Sequence, residues 1–428
     1  MSRITREKIG VEIELIRNSD GEKLNLALNS GEQLDLVIYH TYPGGLSALV
    51  MNDLALPIDE LAATYGQGAL DFIDERFLAT GQVNGQLYSI PSMKDFATGY
   101  GIAMRKDVLD ELGIDPENIK TWDDIHDTLV QVKKARPDLY PIVPTWGGGG
   151  MQKAIPYDNL GTGFLDALGV LANVFDGSTT VVNLYETDAY RELCERMYAW
   201  NQEGLVMPDA TTSNESNLCE TVGFADYENY NTAKVAGLAE QWKHDAAFIQ
   251  MVEPFVSSNA GGSSYFIPTE SKYPEKAMQL WNLLYTDPEL STIYLYGVEG
   301  VHFEYLDEAH TRVKTIDGST YDVMDWTVPN AWIAPIGEKD EEGKWEKLRA
   351  FCDSAYVSPA LGFTFDSSKV VNEITACNNV IAKYEVGLRW GMLNPEETLP
   401  KFNEELYSAG LQTIMDEKQA QLDAFLGK

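Results

Sequence analysis

The sequence predicts an α/β protein built of two lobes, and three observations support this fold class. The chain has 428 residues, which exceeds the roughly 250 to 300 residues at which a single hydrophobic core stops growing. Apolar strand-like runs alternate with helix-like runs through the first quarter of the chain. After a turn marked by Pro91, a second unit of strand and helix begins at Tyr100. We therefore expect the polypeptide to pass from one lobe to the other in this stretch.

The first lobe is predicted to begin with an alternation of strands and helices. VEIELI and LDLVIY are apolar enough to be strands, and the helix-like run EKLNLALNSG between them ends at Gly31. A further helical segment, LSALVMNDLALPIDELAATYG, ends at Gly66. Since near-continuous apolar strands are covered on both faces, this pattern predicts a mostly parallel sheet between helices.

The second lobe is predicted to begin where YGIAMRKDVLDELGI runs from a strand into an amphipathic helix. The next helix, TWDDIHDTLVQVKKARPD, has Thr121 at its N-cap and carboxylates in its first turn. Strand YPIVPTW, a glycine-rich loop, helix DAYRELCERMYAWNQEG and a strand near VAGLAEQ follow. The strand, turn and helix in GGSSYFIPTESKYPEKAMQLWNLLYTDPEL are interpreted as a return to the first lobe.

The last part of the chain is predicted to be rich in turns and then helical. HTRVKTIDGSTYDVMD has the pattern of a hairpin. The helix NPEETLPKFNEELYSAG has Asn394 as its cap, Pro395 in its first turn and Gly410 at its end. The final helix, LQTIMDEKQAQLDAFL, has an apolar stripe that predicts packing against the second lobe. The residues of that stripe are Leu411, Met415, Lys418, Leu422 and Phe425.

The chain is strongly acidic, with 66 Asp and Glu residues against 32 Lys and Arg residues and a formal net charge of −34. A field of this sign repels nucleic-acid phosphates and anionic lipid surfaces, so neither is expected as a partner. It keeps an extracellular or surface-tethered protein in solution. No run approaches the roughly 18 apolar residues of a membrane-spanning helix. The opening SRITREKIGVEIELI is expected to follow an export segment that this sequence does not include.

The sequence offers little for metal binding or catalysis. Its four cysteines are scattered without C-x-x-C spacing, and Cys194 and Cys377 fall on apolar helix positions where a free thiol packs as a small hydrophobe. The chain contains no G-x-S-x-G, H-E-x-x-H or Walker A motif. The dinucleotide-like GTGFLD has Asp166 where the third glycine belongs. We therefore expect no metal, no cofactor and no enzymatic activity.

Several segments spread along nearly the whole chain carry a family resemblance. They are SGEQLDLV, GQLYSIP, MRKDVLDELGID followed by TWDDI, YPEKAMQLWNLLYTDPEL, YGVEGVHFEY, SPALGFTFDSS and FNEELYSAGLQTIMDEKQAQLDAFL. In this order they resemble the family 1 extracellular solute-binding proteins of bacterial ABC importers, and within them the sugar-type lipoprotein branch with a C-terminal extension. Members of that family usually begin with a signal peptide and a lipid-anchoring cysteine, which do not occur in this sequence.

The resemblance implies a periplasmic-binding-protein-like fold of type II, with a hinge, a cleft between the lobes and a helical C-terminal extension. The chain would cross between the lobes near Phe96 to Gly99, near Gly261 and near Gly300. The implied division of the chain is 1–97 and 261–300 for lobe one, and 98–260 and 301–428 for lobe two.

The same resemblance implies a monomeric, extracellular, cell-surface lipoprotein that captures a carbohydrate in the cleft and delivers it to the permease subunits of an ABC importer. The expected ligand is an oligosaccharide, and closure of two lobes over a ligand is a known hinge motion. Two alternatives stay open at this stage. A carbohydrate-active enzyme would combine aromatic surface with a pair of carboxylates. An importer component for a peptide-like solute would need charged groups for the peptide termini.

Aromatic side chains in loops are the first candidates for a carbohydrate site. The chain has 9 Trp, 22 Tyr and 15 Phe. A sugar ring offers an apolar face to an aromatic platform and offers hydroxyls to polar groups around it. Trp146 ends a strand and precedes four glycines, so it is predicted as such a platform. Trp200 and Trp281 fall on apolar helical spacing and are predicted to lie in the core instead.

Further candidates are chosen by their position in the predicted fold. Ligands of open α/β sheets bind beyond the carboxyl ends of strands, and side chains at a crossing can contact the ligand or cap the hinge. The candidates beside strands or crossings are Tyr39, His40, Tyr42, Lys94, Asp95, Phe96, Trp242 and Glu299. The candidates in polar aromatic segments, including a W-x-x-x-N pattern of the family branch, are Tyr227, Glu228, Tyr230, Trp326, Asn330 and Trp332. The charge run GEKDEEGKW is predicted as a solvated loop.

Overall fold

The computed structural model shows two lobes that are joined by three neighbouring strands. The described residues are 1–17, 20–40, 42, 44–93, 95–144, 154–160, 167–213, 215, 217–258, 260 and 264–428. Within these ranges, no helix is both long and apolar enough to cross a membrane. The four cysteines are buried free thiols, as the apolar helical positions of Cys194 and Cys377 predict.

Helices predominate over strands in the described residues. The helices are α1 (Ser2–Ile9), α2 (Gly21–Asn29), α3 (Gly45–Met51), α4 (Asp59–Tyr65), α5 (Gln67–Phe72), α6 (Glu75–Leu78), α7 (Lys106–Leu112), α8 (Trp122–Ala135), α9 (Asp188–Gln202), α10 (Lys234–Trp242), α11 (Pro274–Thr286), α12 (Pro288–Tyr296), α13 (Lys344–Ser354), α14 (Val371–Arg389), α15 (Pro395–Ser408) and α16 (Leu411–Phe425). The strands are β1 (Val37–Ile38), β2 (Gln82–Val83), β3 (Gln86–Leu87), β4 (Thr98–Arg105), β5 (Tyr140–Ile142), β6 (Gly223–Tyr230), β7 (Ala246–Val256), β8 (Tyr265–Phe266), β9 (Phe303–Tyr305), β10 (Arg312–Thr315), β11 (Ile336–Gly337) and β12 (Tyr356–Val357).

The second lobe is built on a five-stranded sheet with the order β12, β7, β4, β6, β5. Strand β4 lies at the centre and pairs antiparallel with both β6 and β7, while β5 and β12 pair parallel with their neighbours. The mostly parallel sheet is predicted for the first lobe, and there too the described ladder of β1 with β8 is antiparallel, so that prediction is wrong. An apolar run indicates that both faces of a strand are covered, and it carries no information on the direction of the neighbouring strands.

Alternate residues of β4 point into two different hydrophobic cores. Ile102 and Met104 lie in the large core that includes α8, α9 and the C-terminal helices, whereas Ala103 lies in a smaller core on the other face of the sheet. Leu238 and Trp242 of α10 belong to that smaller core. The segment VAGLAEQ is therefore part of a helix and not the predicted strand, because these two residues, four apart, bury on one helical face.

The first lobe has a less regular sheet. Strands β1 and β8 pair antiparallel with Ile38 opposite Tyr265, and an isolated bridge joins Pro91 to Ser264, the residue before β8. Helices α4, α5 and α11 pack together beside it. Trp281 at the centre of α11 is fully buried, which confirms the core position that its helical spacing predicts.

The predicted strand VEIELI is not formed. Residues 11–17 form neither helix nor strand and have no ladder partner among the described residues. Leu15 and Ile16 are 60% and 58% exposed, so neither side chain contributes to a core. A strand is stabilised by pairing with other strands and by burial of its apolar side chains. This run has neither, so its apolar alternation does not produce a strand.

The start of β4, the end of β7 and β12 run side by side where the chain passes between the lobes. Thr98 of β4 lies opposite Phe255 of β7, which in turn lies opposite Tyr356 of β12. Helix α13 precedes β12 and buries Phe351 in the core of the first lobe, whereas Ala360 after β12 lies in the core of the second lobe. The third crossing therefore lies at β12.

This packing differs from the predicted division of the chain at one point. The boundary predicted at residue 300 would assign the following segment to the second lobe. Instead, Val328, Ala331 and Ala334 cluster with Leu295 at the end of α12, and α13 packs with the first lobe. Helix α12 follows directly on α11 of the first lobe. The segment with Val328, Ala331 and Ala334, which packs on the end of α12, therefore also belongs to the first lobe. The other predicted boundaries stay predictions.

The C-terminal helices α14, α15 and α16 pack on the second lobe. Helix α15 begins at Asn394, whose side chain accepts a hydrogen bond from the backbone N–H of Glu396. Four of the five residues in the predicted stripe of α16 are buried, and Phe425 near the helix end is exposed. The buried ones are Leu411, Met415, Lys418 and Leu422.

Candidate ligand-binding site

A cavity of about 880 Å³ lies between the two lobes. One wall consists of α10 and the loop before it, which belong to the second lobe. The opposite wall comes from segments between residues 295 and 344, which pack on the first lobe. Small-molecule sites measure roughly 300 to 1,000 Å³ and occur preferentially between domains. This cavity is therefore the candidate functional site.

Three polar contacts shape the wall that belongs to the second lobe. The side-chain carbonyl of Asn231 accepts a hydrogen bond from the backbone N–H of Ala233 at 2.9 Å, and its Nδ2 donates to Oδ2 of Asp95 at 2.6 Å. Since Asp95 lies just before β4, this bond joins the wall to the start of that strand. On α10, Nζ of Lys234 lies 3.0 Å from Oε2 of Glu228, whose side chain is only 8% exposed. The ammonium compensates a carboxylate that burial would otherwise disfavour.

The wall that belongs to the first lobe presents the indole of Trp326. This residue is half-buried in a 3₁₀ turn, Asp325–Thr327. The imidazole of His40, two residues beyond Ile38 of β1, packs edge-on against the indole, with ring centroids 5.1 Å apart and an interplanar angle of 86°. Aromatic pairs favour this edge-to-face geometry. The contact orients the indole and leaves it available at the cavity wall.

Lys344 joins two acidic side chains on the same wall. Its Nζ lies 3.0 Å from Oδ2 of Asp340 and 3.5 Å from Oδ2 of Asp325. The ammonium also lies 4.5 Å from the ring centroid of Trp345. Because the Lys344 side chain is only 12% exposed, these attractions are screened less than they would be at an open surface. The charged groups beside Trp326 are therefore held in one arrangement.

Four of the predicted site residues lie at the cavity or contact its lining. Trp326 lines the cavity directly, and His40 packs on Trp326. Asp95 and Glu228 each bind a lining residue of the second lobe. Their roles toward a ligand stay predictions.

Tyr39, Tyr42 and Phe96 are instead core residues of the first lobe, which contradicts their assignment as ligand contacts. Tyr39 is buried, and desolvation raises the pKa of its phenol to about 12. The hydroxyl of Tyr42 donates to Oδ1 of Asn25 at 3.1 Å, and the ring of Phe96 stacks on Phe77 with centroids 4.0 Å apart. A position beyond a strand end does not expose a side chain when the strand directs it inward.

Tyr227, Trp242 and Asn330 are also buried, and their assignment as ligand contacts is corrected in the same way. Tyr227 and Trp242 lie in the two cores on opposite faces of the second-lobe sheet. Asn330 is fully buried, and its Nδ2 donates to the backbone carbonyl of Tyr285 at 2.9 Å. Its amide therefore serves the packing of the segment after Trp326.

Tyr230, Glu299 and Trp332 are at least partly exposed but do not line this cavity. The ring of Tyr230 stacks on Phe248 with centroids 4.7 Å apart. Trp332 lies parallel to Trp345 with centroids 6.5 Å apart, and Glu299 is exposed in the turn after α12. The predicted residues that fall outside the described ranges are Lys94 and Trp146.

Sequence analysis missed much of the cavity lining. The charge run GEKDEEGKW is not simply a solvated loop, because Asp340 and Lys344 within it line the cavity and bind each other. Their spacing of four residues is a signal for an ion pair at the start of a helix. Sequence analysis also missed Lys234, which lines the cavity from the first turn of α10, where a strand near VAGLAEQ was predicted.

A second groove, of about 1090 Å³, lies between α9 and α15 within the second lobe. Tyr198 and Tyr407 line it, and the hydroxyl of Tyr407 donates to Oε2 of Glu186 at 2.6 Å. Because both walls belong to one lobe, hinge closure would leave this groove unchanged, and the inter-lobe cavity is the better candidate. No cluster of three or more His, Cys, Asp or Glu in the described part of the chain is arranged to hold a metal ion.

Comparison with protein-family models matches residues 2–301 to a family described as bacterial extracellular solute-binding protein. A second model, described as a domain of unknown function (DUF3502), matches residues 359–427. That second match begins directly after the third crossing and covers α14, α15 and α16.

Similar proteins are found among carbohydrate transporters. The carbohydrate ABC transporter substrate-binding protein of Streptococcus pneumoniae serotype 4 is 28% identical to this chain, over 99% of this chain and 87% of the relative. The crystal structure of the N-glycan transport solute-binding protein NgtS from Streptococcus pneumoniae has a TM-score of 0.88 and 25% identity, covering 100% of this chain and 94% of NgtS. Its complex with Man5GlcNAc has a TM-score of 0.78 at the same identity and coverage.

A more distant structure supports the fold alone. The substrate-binding protein FusA of Streptococcus pneumoniae in complex with kestose has a TM-score of 0.67 and 18% identity, covering 99% of this chain and 94% of FusA. The two-lobe arrangement is thus shared at low sequence identity.

Proposed function

This chain belongs to the bacterial extracellular solute-binding proteins, and we propose that it captures an oligosaccharide in the cavity between its lobes for an ABC importer. The observation that carries the proposal is the composition of that cavity. An indole, Trp326, lies on one wall, and hydrogen-bonding groups such as Asn231, Lys234 and Asp340 lie on both walls. A sugar ring needs this combination, because it has an apolar face and a rim of hydroxyls.

Binding is proposed to be coupled to closure of the lobes. The two walls belong to different lobes, and the lobes are joined by short neighbouring strands. A ligand that contacts both walls binds the closed arrangement more tightly than the open one and so shifts the population toward it. The closed form is the one that would be presented to the permease.

The proposal includes no chemical step on the ligand. Two of the carboxylates that line the cavity, Asp325 and Asp340, lie beside the ammonium of Lys344. A glycosidase needs one carboxyl as an acid and a second as a base or nucleophile, on opposite sides of the scissile bond. The support for a binding role comes from the relatives, which are described as substrate-binding and solute-binding proteins.

The relatives support the ligand class and the cellular setting of the proposal. NgtS is described as an N-glycan transport protein and has been crystallised with Man1GlcNAc and Man5GlcNAc. We propose a related neutral oligosaccharide for this chain, delivered to permease subunits in the membrane. We further propose that the protein is a monomer anchored at the cell surface as a lipoprotein.

The proposal is tested by calorimetric titration of the protein with Man1GlcNAc, Man5GlcNAc and kestose, with a tripeptide as a comparison. Stoichiometric binding of a glycan, with a rise in melting temperature, is expected because the ligand binds only the folded state. The mixture is then analysed for products after long incubation. Released monosaccharide would support an enzyme, and binding of the tripeptide alone would contradict a carbohydrate role.

A further inference from the structure

We propose that Tyr265 is a positioning residue for the ligand site, because its hydroxyl holds the turn that presents Trp326 to the cavity. This inference rests on the proposed function, in which Trp326 is the platform for the ligand. Tyr265 is buried and does not itself line the cavity. Any effect of its hydroxyl on a ligand must therefore pass through the turn.

The hydroxyl of Tyr265 binds the last residue of the Trp326 turn. Its oxygen lies 2.6 Å from the backbone carbonyl of Thr327 and 2.7 Å from the hydroxyl of Tyr294. A carbonyl oxygen can only accept, so Tyr265 donates its single proton to Thr327, and Tyr294 must donate to Tyr265. Burial holds the pKa of the Tyr265 phenol well above its usual range, so the proton stays in place at physiological pH.

The β-ladder of the first lobe supports Trp326 from two sides. Ile38 of β1 lies opposite Tyr265 of β8, and His40 lies two residues beyond Ile38 and packs on Trp326. Strand pairing therefore sets the positions of His40 and Tyr265 together. The ring of Tyr265 lies beside Trp281 in the first-lobe core, with centroids 6.3 Å apart, and this packing directs its hydroxyl toward the turn.

The chain after the turn is fastened to the same lobe. The backbone N–H of Met93 donates to the carbonyl of Pro329 at 2.7 Å, and Nδ2 of Asn330 donates to the carbonyl of Tyr285. The bond from Tyr265 extends this anchoring into the turn itself. A platform that is fixed before the ligand arrives loses less conformational entropy on binding, so affinity depends on this anchoring.

The first test replaces the hydroxyl and keeps the ring. Tyr265→Phe is expected to weaken binding of Man5GlcNAc about three- to tenfold, which corresponds to the loss of one hydrogen bond. The matched control is Tyr384→Phe, which removes a hydroxyl that donates to Glu405 at 2.6 Å in the C-terminal helices. The affinity of Tyr384→Phe for Man5GlcNAc should equal that of the wild type. Unchanged affinity in Tyr265→Phe would overturn the proposal.

A double-mutant cycle shows whether Tyr265 acts through Trp326. In the background of Trp326→Ala, the change Tyr265→Phe should no longer alter the affinity for Man5GlcNAc, because the platform it positions is absent. If Tyr265→Phe weakens binding by the same factor with and without Trp326, its hydroxyl acts elsewhere and the proposal is overturned. A purely structural role would lower the melting temperature without this coupling.

A measurement without ligand separates this inference from the proposed function. Acrylamide quenching of tryptophan fluorescence is measured with and without Trp326→Phe, both in the wild type and in Tyr265→Phe. In each background, the difference between the two proteins gives the quenching of Trp326 itself. Tyr265→Phe should raise the quenching of Trp326, because the turn loosens. If no glycan binds the wild type, the proposed function fails, while unchanged quenching in Tyr265→Phe overturns the positioning role independently.

Discussion

Asn231 of the second lobe donates a hydrogen bond of 2.6 Å to Asp95, which lies just before β4. Asn231 also lines the cavity, and its side-chain oxygen is occupied by the backbone N–H of Ala233. With both ends of the amide engaged, its orientation is fixed. The wall of the candidate site is thus joined directly to the chain at the start of β4.

We therefore predict that Asn231→Ala weakens glycan binding. The change removes a hydrogen bond to a carboxylate and a polar group of the cavity wall, so a loss of about three- to thirtyfold in affinity for Man5GlcNAc is expected by calorimetric titration. The control is Asn29→Ala, since the Asn29 amide bonds Asn25 on the exposed surface of α2. Equal affinities of the two variants would contradict this role for Asn231.

Lys234→Met is predicted to lower the free energy of unfolding. It removes the ammonium that lies 3.0 Å from the nearly buried carboxylate of Glu228. We expect a loss of about 1 to 2 kcal/mol in urea unfolding, less than the roughly 3 to 5 kcal/mol of a fully buried pair, because Lys234 is partly exposed. The double variant with Glu228→Gln should recover part of that loss. Lys383→Met breaks an exposed pair with Glu405 and serves as the control, with no measurable change expected.

The pair between His126 on α8 and Glu203 after α9 predicts a pH-dependent contribution to stability. The hydrogen bond with Glu203, followed by its charge, raises the pKa of His126 despite partial desolvation. A raised folded-state pKa means that the contribution is fully present below the unfolded value of about 6.5 and is lost as pH rises through the folded value.

The measurement is the difference in unfolding free energy between the wild type and His126→Gln. That difference should be larger at about pH 6 than at about pH 9, by about 0.5 kcal/mol after solvent screening. Comparing the two proteins at each pH removes the effect of the other acidic groups. A difference that is independent of pH would contradict the pairing.

Trp242→Ala is predicted to destabilise the fold without changing the site. The indole is 1% exposed in the smaller core of the second lobe, so its removal should lower the free energy of unfolding by about 3 to 5 kcal/mol. The folded fraction should bind Man5GlcNAc with unchanged affinity. Tyr273→Ala, at a side chain that is 60% exposed, is the control for truncation of an aromatic residue. A selective loss of affinity in Trp242→Ala would return Trp242 to the ligand site.

Gly391→Ala is predicted to disturb the attachment of the C-terminal helices to α9. Gly391 has φ of +67°, and a Cβ there would lie 2.1 Å from the backbone oxygen of Met197. Gly427 has φ of +69°, and a Cβ there would meet no atom within 4 Å, so Gly427→Ala isolates the backbone strain. We expect a loss of about 3 kcal/mol or more for Gly391→Ala and about 1 kcal/mol for the control. Similar losses would show that the close approach to α9 is unimportant.

Local signals in the sequence predicted individual helices well. Thr121 caps α8 in a reciprocal arrangement with Asp124, and Asn394 caps α15. Trp200 and Trp281 are buried as their helical spacing indicates. Caps and spacing succeed because they depend on contacts within one or two helical turns, and such contacts form in the same way whatever the rest of the fold does.

The candidate site was harder to predict, because a pattern does not state which face of an element meets the cavity. Tyr227 and Glu228 are neighbours on β6, so alternation places them on opposite faces of the sheet. Only the packing shows that Tyr227 enters the large core while Glu228 reaches Lys234 beside the cavity. For the same reason the polar aromatic segments contained both core residues and residues near the site.

The sequence by itself determined the two-lobe α/β class, the family resemblance and the helical C-terminal extension. The tertiary structure alone decided that the chain crosses for the third time at β12, and that Trp326 meets His40 and faces Lys234 across a cavity. The physical reason is the range of the interactions. Caps and helical periodicity act between near neighbours in the chain, whereas the walls of the site depend on strand pairing and core packing between segments far apart in sequence.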